Sequence, residues 1–237
     1  MSGPSADGTN AGTGGGAGGG AGGGSSIRAI TFDWGGVFTV GTFDHRAASA
    51  LAELHELQPD EVEPRYLTLM AEFEVGAFDL PEFHRRFQRA VGRTSDLRAF
   101  RRSFLTAAVE RPAMYRLLAS LPEGVAVGML SNNVPELCDQ VRSDPRMRRV
   151  EAFVFSNEIG VRKPDARAFQ ALTDAIGVPP EATVFVDDSP TNIAACASLG
   201  FTGLLLDDLA SFASRWRETL PHLPLPPEFD EAAKMGG

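Results

Sequence analysis

The chain has 237 residues, with 31 acidic side chains against 22 basic ones and a formal net charge of −9. That balance excludes a nucleic-acid backbone as the main partner, because neutralising one takes many Lys or Arg in register. The basic clusters His84-Arg85-Arg86 and Arg146-Met147-Arg148-Arg149 read as solvated faces, and no apolar run approaches the roughly 20 residues that span a bilayer.

Residues 1–26 are mostly Gly, Ala, Ser and Thr. They offer almost no apolar surface to set against ordering entropy, which predicts a disordered tail. The tail lacks the basic start and apolar stretch of a secretory signal. The first strand is expected over 27–32, ending at Asp33. Residues 43–112 then show helical periodicity with no strand candidate. Leu51, Leu54 and Leu57 form one apolar stripe, and Tyr66, Leu69, Met70 and Phe73 another. Asp79-Leu80-Pro81-Glu82 is a capping-box start for a helix carrying Phe83, Phe87 and Val91. Further strands are expected over 125–130, 152–155, 183–186 and 202–206. Their continuous Val, Ile, Leu and Phe suit strands buried on both faces. Helices are expected over 134–141, 166–176 and 191–199, the last two stopping at Gly177 and Gly200. Alternating strands and helices predict an α/β fold, a doubly wound, mostly parallel five-stranded sheet. The expected organisation is a core of residues 27–42 and 113–220, a helical insertion at 43–112, and a loose, Pro-rich tail at 221–237. Cys138 and Cys196 lie far apart without CxxC spacing, as reduced thiols of a cytoplasmic protein would. His45, His55, His84 and His222 show no zinc-ligand spacing.

Four segments carry the chemistry: Phe32-Asp33-Trp34-Gly35-Gly36-Val37, Leu130-Ser131-Asn132-Asn133, Val161-Arg162-Lys163-Pro164-Asp165 and Val184-Phe185-Val186-Asp187-Asp188-Ser189. In an open parallel sheet, ligands sit outside the carboxyl ends of the strands. Residues at those ends could therefore share one crevice. Asp33 reads either as a turn cap or as a nucleophile towards phosphorus. Ser131 and Asn132 read as a common turn, or as a hydroxyl and N–H groups holding a phosphate oxygen at a helix start. Adjacent Asp187 and Asp188 would repel unless a cation sits between them and Asp33. Hard carboxylate oxygens suit Mg²⁺.

In order and context these segments resemble the haloacid dehalogenase-like (HAD) hydrolase superfamily. The resemblance implies that Asp33 forms an aspartyl-phosphate, that Ser131 and Asn132 hold the phosphate, and that Lys163 neutralises nucleophile and phosphate together. It also implies Mg²⁺ bound by Asp33, the carbonyl of Gly35, Asp187 and Asp188, and a helical cap at 43–112.

One position departs from the pattern. Phosphatases of this superfamily carry a second aspartate two residues after the nucleophile, as general acid and base; here that position is Gly35. The sequence leaves three readings. One is a Mg²⁺-dependent phosphomonoesterase acting on sugar-1-phosphates, acyl or aryl phosphates, whose leaving groups need little protonation. The Asp-x-Gly-Gly-Val form and the segment 74–83 resemble a sugar-1-phosphatase-like branch, with His45 as a candidate substitute acid. The second is a metal-independent 2-haloacid dehalogenase, and the third a catalytically weak binding protein. The expected partner is a small phosphorylated molecule, with no nucleic acid or membrane, and the expected state a cytoplasmic monomer or homodimer.

Overall fold

The computed structural model describes residues 26–41 and 43–235, with side chains as far as 231, so the glycine-rich tail expected over 1–26 lies almost wholly outside the described residues. The sheet is built from β1 (Ala29–Phe32), β2 (Ala126–Ser131), β3 (Ala152–Phe155), β4 (Thr183–Asp187) and β5 (Thr202–Leu205). Their order is β3-β2-β1-β4-β5, and all neighbouring pairs are parallel. Every residue of β1 and β4 is buried. This explains their lack of apolar–polar alternation: helices cover both faces, so neither face can be polar. Thr31 is tolerated there because its hydroxyl donates to the carbonyl of Val184 at 2.8 Å.

Between β1 and β2 run α1 (Phe43–Leu54), α2 (Pro59–Phe73), α3 (Leu80–Val91), α4 (Leu97–Leu105) and α5 (Pro112–Ser120). The stripes read from periodicity close on one another. Leu51, Tyr66, Met70, Phe73, Phe83 and Phe87 are buried, while Leu54, Leu57, Leu69 and Val91 pack against them. Phe83 is the hub, with ring centroids 4.8 Å from Phe73 and 5.8 Å from Phe100 and Phe104. At the start of α3 the carboxylate of Asp79 accepts the N–H of Glu82 at 2.9 Å. The carboxylate of Glu82 pairs with Arg85 and Arg86, so the expected capping box forms only by half.

The remaining helices are α6 (Pro135–Ser143), α7 (Ser156–Ile159), α8 (Ala166–Ile176), α9 (Pro190–Ser198), α10 (Leu209–Thr219) and α11 (Glu228–Met235). The C-terminal segment is docked rather than loose. Phe229 is fully buried with its ring centroid 5.9 Å from Phe212, and Glu228 pairs with Arg116. One aromatic anchor decided this, and composition alone hid it. Cys138 and Cys196 are free and buried; burial pushes both thiols up to about 12, which makes them inert packing groups. Among the described residues no helix is long and apolar enough to cross a membrane.

This topology positions the site. From β1 the chain fills β2 and β3 on one side, then crosses to β4 and β5 on the other. Strand order therefore reverses between β1 and β4, where a crevice opens at the carboxyl ends.

Candidate active site

Asp33 leaves β1 with its N–H bonded to the carbonyl of Val186, so the ends of β1 and β4 stay locked together beyond the strands. The chain then turns, and its two glycines have different reasons to be there. Gly36 has φ +74°, and a Cβ on it would lie 1.9 Å from Oδ2 of Asp188. Only glycine lets the Asp188 carboxylate lie against this backbone. A Cβ on Gly35 meets nothing within 4 Å, so packing does not demand glycine there. The turn is pinned by the Gly36 N–H to the Thr39 hydroxyl at 2.8 Å and by Arg111, which donates to the Gly36 carbonyl at 3.2 Å.

Lys163 is only 2 % exposed. Its Nζ lies 2.8 Å from Oδ1 of Asp33 and 2.7 Å from Oδ2 of Asp187. Its backbone is clamped by Asn132, whose Oδ1 accepts the Lys163 N–H at 2.8 Å and whose Nδ2 donates to the Lys163 carbonyl at 3.1 Å. Asp187 is fully buried and saturated. It accepts from Lys163, from the Ser189 N–H at 2.8 Å and from Nδ2 of Asn192 at 3.1 Å on both oxygens. Asp187 thus aims the ammonium at Asp33, while Asp188 faces the crevice.

The electrostatics show a surplus of negative charge. Burial pushes the Asp33 carboxyl up to about 7, with Lys163 opposing the rise and Asp187 adding to it. Burial and the Asp187 charge take Asp188 to about 6. Burial works against the charge of Lys163, but Asp187 and Asp33 hold its pKa above the usual value, so it stays protonated. One buried cation faces three carboxylates. Oxygens of Asp33, Asp187 and Asp188 lie within 4.8 Å of one another, and Oδ1 of Asp33 has the Lys163 ammonium at 2.8 Å beside it. A hard divalent cation would fit this donor set and relieve its repulsion.

The crevice has a volume of about 620 Å³ including its open mouth. Asp33, Gly35, Asn132, Lys163 and Asp188 line it, so the structure brings these predicted residues together. Ser131 lies at the end of β2, only 1 % exposed and not among the lining side chains; its Oγ is 3.5 Å from the Asn132 carbonyl. The Asn132 amide is engaged at both ends, whereas that of Asn133 is not. Oδ1 of Asn133 accepts the Val134 N–H at 2.9 Å, which leaves its buried Nδ2 without a partner at the crevice wall. His45 sits elsewhere: its side chain is 64 % exposed, pairs with Glu63 and does not line the crevice.

Residues 27–200, most of the chain, match a family model described as haloacid dehalogenase-like hydrolase. The chain belongs to this family and is an enzyme, a hydrolase. "Phosphatase MT3486" of Mycobacterium tuberculosis is 30% identical over 202 residues, covering 77% of this chain and 88% of its own. "Flavin mononucleotide hydrolase 1" of Arabidopsis thaliana is 26% identical over 64% of this chain and 62% of its own. Among solved structures, a HAD family enzyme of Bacteroides thetaiotaomicron in complex with magnesium and inorganic phosphate superposes with a TM-score of 0.64. It is 21% identical and the match covers 76% of this chain and 94% of that one. An L-2-haloacid dehalogenase superposes with a TM-score of 0.61 at 18% identity, covering 77% and 87%, a likeness of fold.

The outer wall of this HAD-like crevice escaped the sequence reading. Asp44 from α1, Met70 from α2, Glu74 just past α2, and Arg162 line it with Trp34, Phe43 and Leu137. Nη2 of Arg162 lies 3.0 Å from Oε2 of Glu74, and the Tyr66 hydroxyl donates to Asp44 at 3.0 Å. Glu74 also fastens the helical layer to the sheet, since its carbonyl accepts the Ser156 hydroxyl at 2.5 Å. Arg162 and Glu74 both stand in segments singled out for their motif context. No spacing rule, however, links residue 74 to residue 162.

Proposed function

We propose that the protein is a Mg²⁺-dependent phosphomonoesterase acting on a small phosphorylated metabolite through an aspartyl-phosphate at Asp33. The observation that carries this reading is Lys163, held between Asp33 and Asp187 with Asp188 beside them at the β1–β4 switch point. An Oδ atom of Asp33 attacks phosphorus in line, and the P–O bond to the alcohol breaks. Lys163, fixed by Asn132 and Asp187, offsets the charge on nucleophile and phosphoryl oxygens. Nδ2 of Asn133 is a free donor for a phosphoryl oxygen, and the hydroxyl of Ser131 is a second candidate beneath it. Asp33, Asp188 and the Gly35 carbonyl would hold Mg²⁺, with Asp187 acting on it mainly through charge. Bound there, the ion would supply Lewis-acid polarisation of the phosphoryl group.

A relative named as a phosphatase supports the reaction class. The free thiols suit a cytoplasmic setting. A metal-independent dehalogenase would have no use for the surplus carboxylates. The test is release of p-nitrophenol from p-nitrophenyl phosphate with Mg²⁺ and with EDTA. Release that needs Mg²⁺ and vanishes in Asp33→Asn is the expected result. Equal rates in EDTA, or undiminished release by Asp33→Asn, would overturn the reading.

A further inference from the structure

Gly35 leaves the reaction without a proton donor beside the nucleophile, and the structure shows no steric reason for that glycine. The opposite wall holds what the position lacks. Glu74 is 4 % exposed, lines the same crevice as Asp33 and Lys163, and its Oε2 meets Nη2 of Arg162 at 3.0 Å without a well-directed hydrogen bond. It shares its surroundings with Asp44 and with a single guanidinium, Arg162. Two carboxyl groups flank this half-exposed guanidinium, with Asp33 and Lys163 acting on Glu74 as well, and a proton retained on one of the two carboxyls relieves their repulsion. Burial, and then the Asp44 charge, push Glu74 up to about 8, with Arg162 opposing and Asp33 adding. Burial also raises Asp44, with its hydrogen bond from Tyr66 and the charge of Arg162 opposing. A carboxyl that keeps its proton near neutral pH is poised to act as a general acid.

We propose that Glu74, carried by the helical layer rather than by the nucleophile loop, is the general acid and base of this enzyme. The inference rests on the phosphomonoesterase reading above. In the first step Asp33 forms its bond to phosphorus, the bond from phosphorus to the leaving oxygen breaks, and that oxygen takes the proton of Glu74. In the second, the Glu74 carboxylate takes a proton from water as its oxygen attacks the aspartyl-phosphate. Phosphate leaves, and both carboxyl groups return to their starting states. A purely structural Glu74–Arg162 ion pair would pin the helices to the sheet but would not care how basic the leaving group is.

The deciding experiment compares wild type with Glu74→Gln on two substrates in Mg²⁺, by rapid quench and at steady state. p-Nitrophenolate leaves without a proton, whereas the alkoxide of benzyl phosphate needs one. Glu74→Gln should still release one equivalent of p-nitrophenol in a rapid first turnover, which also shows that the site is folded. Steady-state turnover on p-nitrophenyl phosphate and all turnover on benzyl phosphate should then fall about 100-fold or more. Asp44→Asn, which removes the charge holding the Glu74 proton, should shift the alkaline limb for benzyl phosphate to lower pH. Equal rates for Glu74→Gln and wild type on both substrates would overturn the proposal. So would a first turnover lost in step with the rest, or an unmoved limb in Asp44→Asn. A wild type inactive on both substrates would instead overturn the phosphatase reading itself.

Discussion

Metal-free protein should become less stable as pH rises from about 5 to about 8, and replacing Asp33, the proposed nucleophile, should abolish much of that loss. Burial lifts the Asp33 carboxyl from the usual 3.8 to about 7, against Lys163 and with Asp187. A native pKa above the unfolded one means that the native state binds the proton more tightly. The stabilisation is therefore complete below about pH 4 and is lost as pH climbs through 7. At about 1.4 kcal/mol per pH unit, that rise corresponds to ~4 kcal/mol for a group only 8 % exposed. Glu74 has the same sign, and His84, whose ring is held below its usual range by burial, has the opposite sign below about pH 6.5. The difference between wild type and Asp33→Asn removes both contributions. Asp33→Asn mimics the protonated carboxyl, so it should be more stable than wild type by roughly 2–4 kcal/mol near pH 8, with the gap closing towards pH 5. Urea unfolding in EDTA, followed by the fluorescence of the buried Trp34 and Trp216, measures this. Mg²⁺ at 100 times its Kd should return about 2.7 kcal/mol to wild type and much less to Asp33→Asn. Parallel pH courses for the two proteins would refute the argument that Asp33 is a strained, cation-seeking carboxylate.

The two glycines of the first loop should respond oppositely. Gly35→Ala should fold and melt like wild type, since its Cβ meets nothing within 4 Å. Gly36→Ala should drive Asp188 aside and weaken Mg²⁺ binding by calorimetry, as its Cβ would sit 1.9 Å from that carboxylate at φ +74°. Phe83→Ala should cost about 3–5 kcal/mol in denaturant unfolding, because it empties the centre of the phenylalanine cluster. His45→Ala should leave turnover unchanged in a steady-state assay, because the ring is exposed and outside the crevice.

The strands were legible because burial on both faces leaves an unbroken apolar run that few other structures need. Observed strands fall within two residues of the expected ends. Asp33, Lys163, Asp187 and Asp188 were legible for a related reason: each ends such a run or opens a helix, and parallel strands bring their carboxyl ends to one edge. The wall of Asp44, Glu74 and Arg162 was not legible. A charged residue after an amphipathic helix is exposed by default, and only the seating of that helix on the sheet turns it inward. The docked end of the chain escaped for the same reason, since Phe229 is apolar in any context and core only where Phe212 meets it.

Local chemistry along the chain therefore specified the sheet and the helical insertion, and the motif resemblance marked Asp33 and Lys163 as the proposed nucleophile and its cation. Those features depend on periodicity and on residues close in sequence. Packing between distant elements decided how the charges balance. It saturated Asp187, engaged both ends of Asn132 while freeing Asn133, and set Glu74 and Asp44 beside one guanidinium in the crevice wall. Proton affinity in such a wall depends on burial and on charges that arrive from other parts of the chain, neither of which a linear sequence displays.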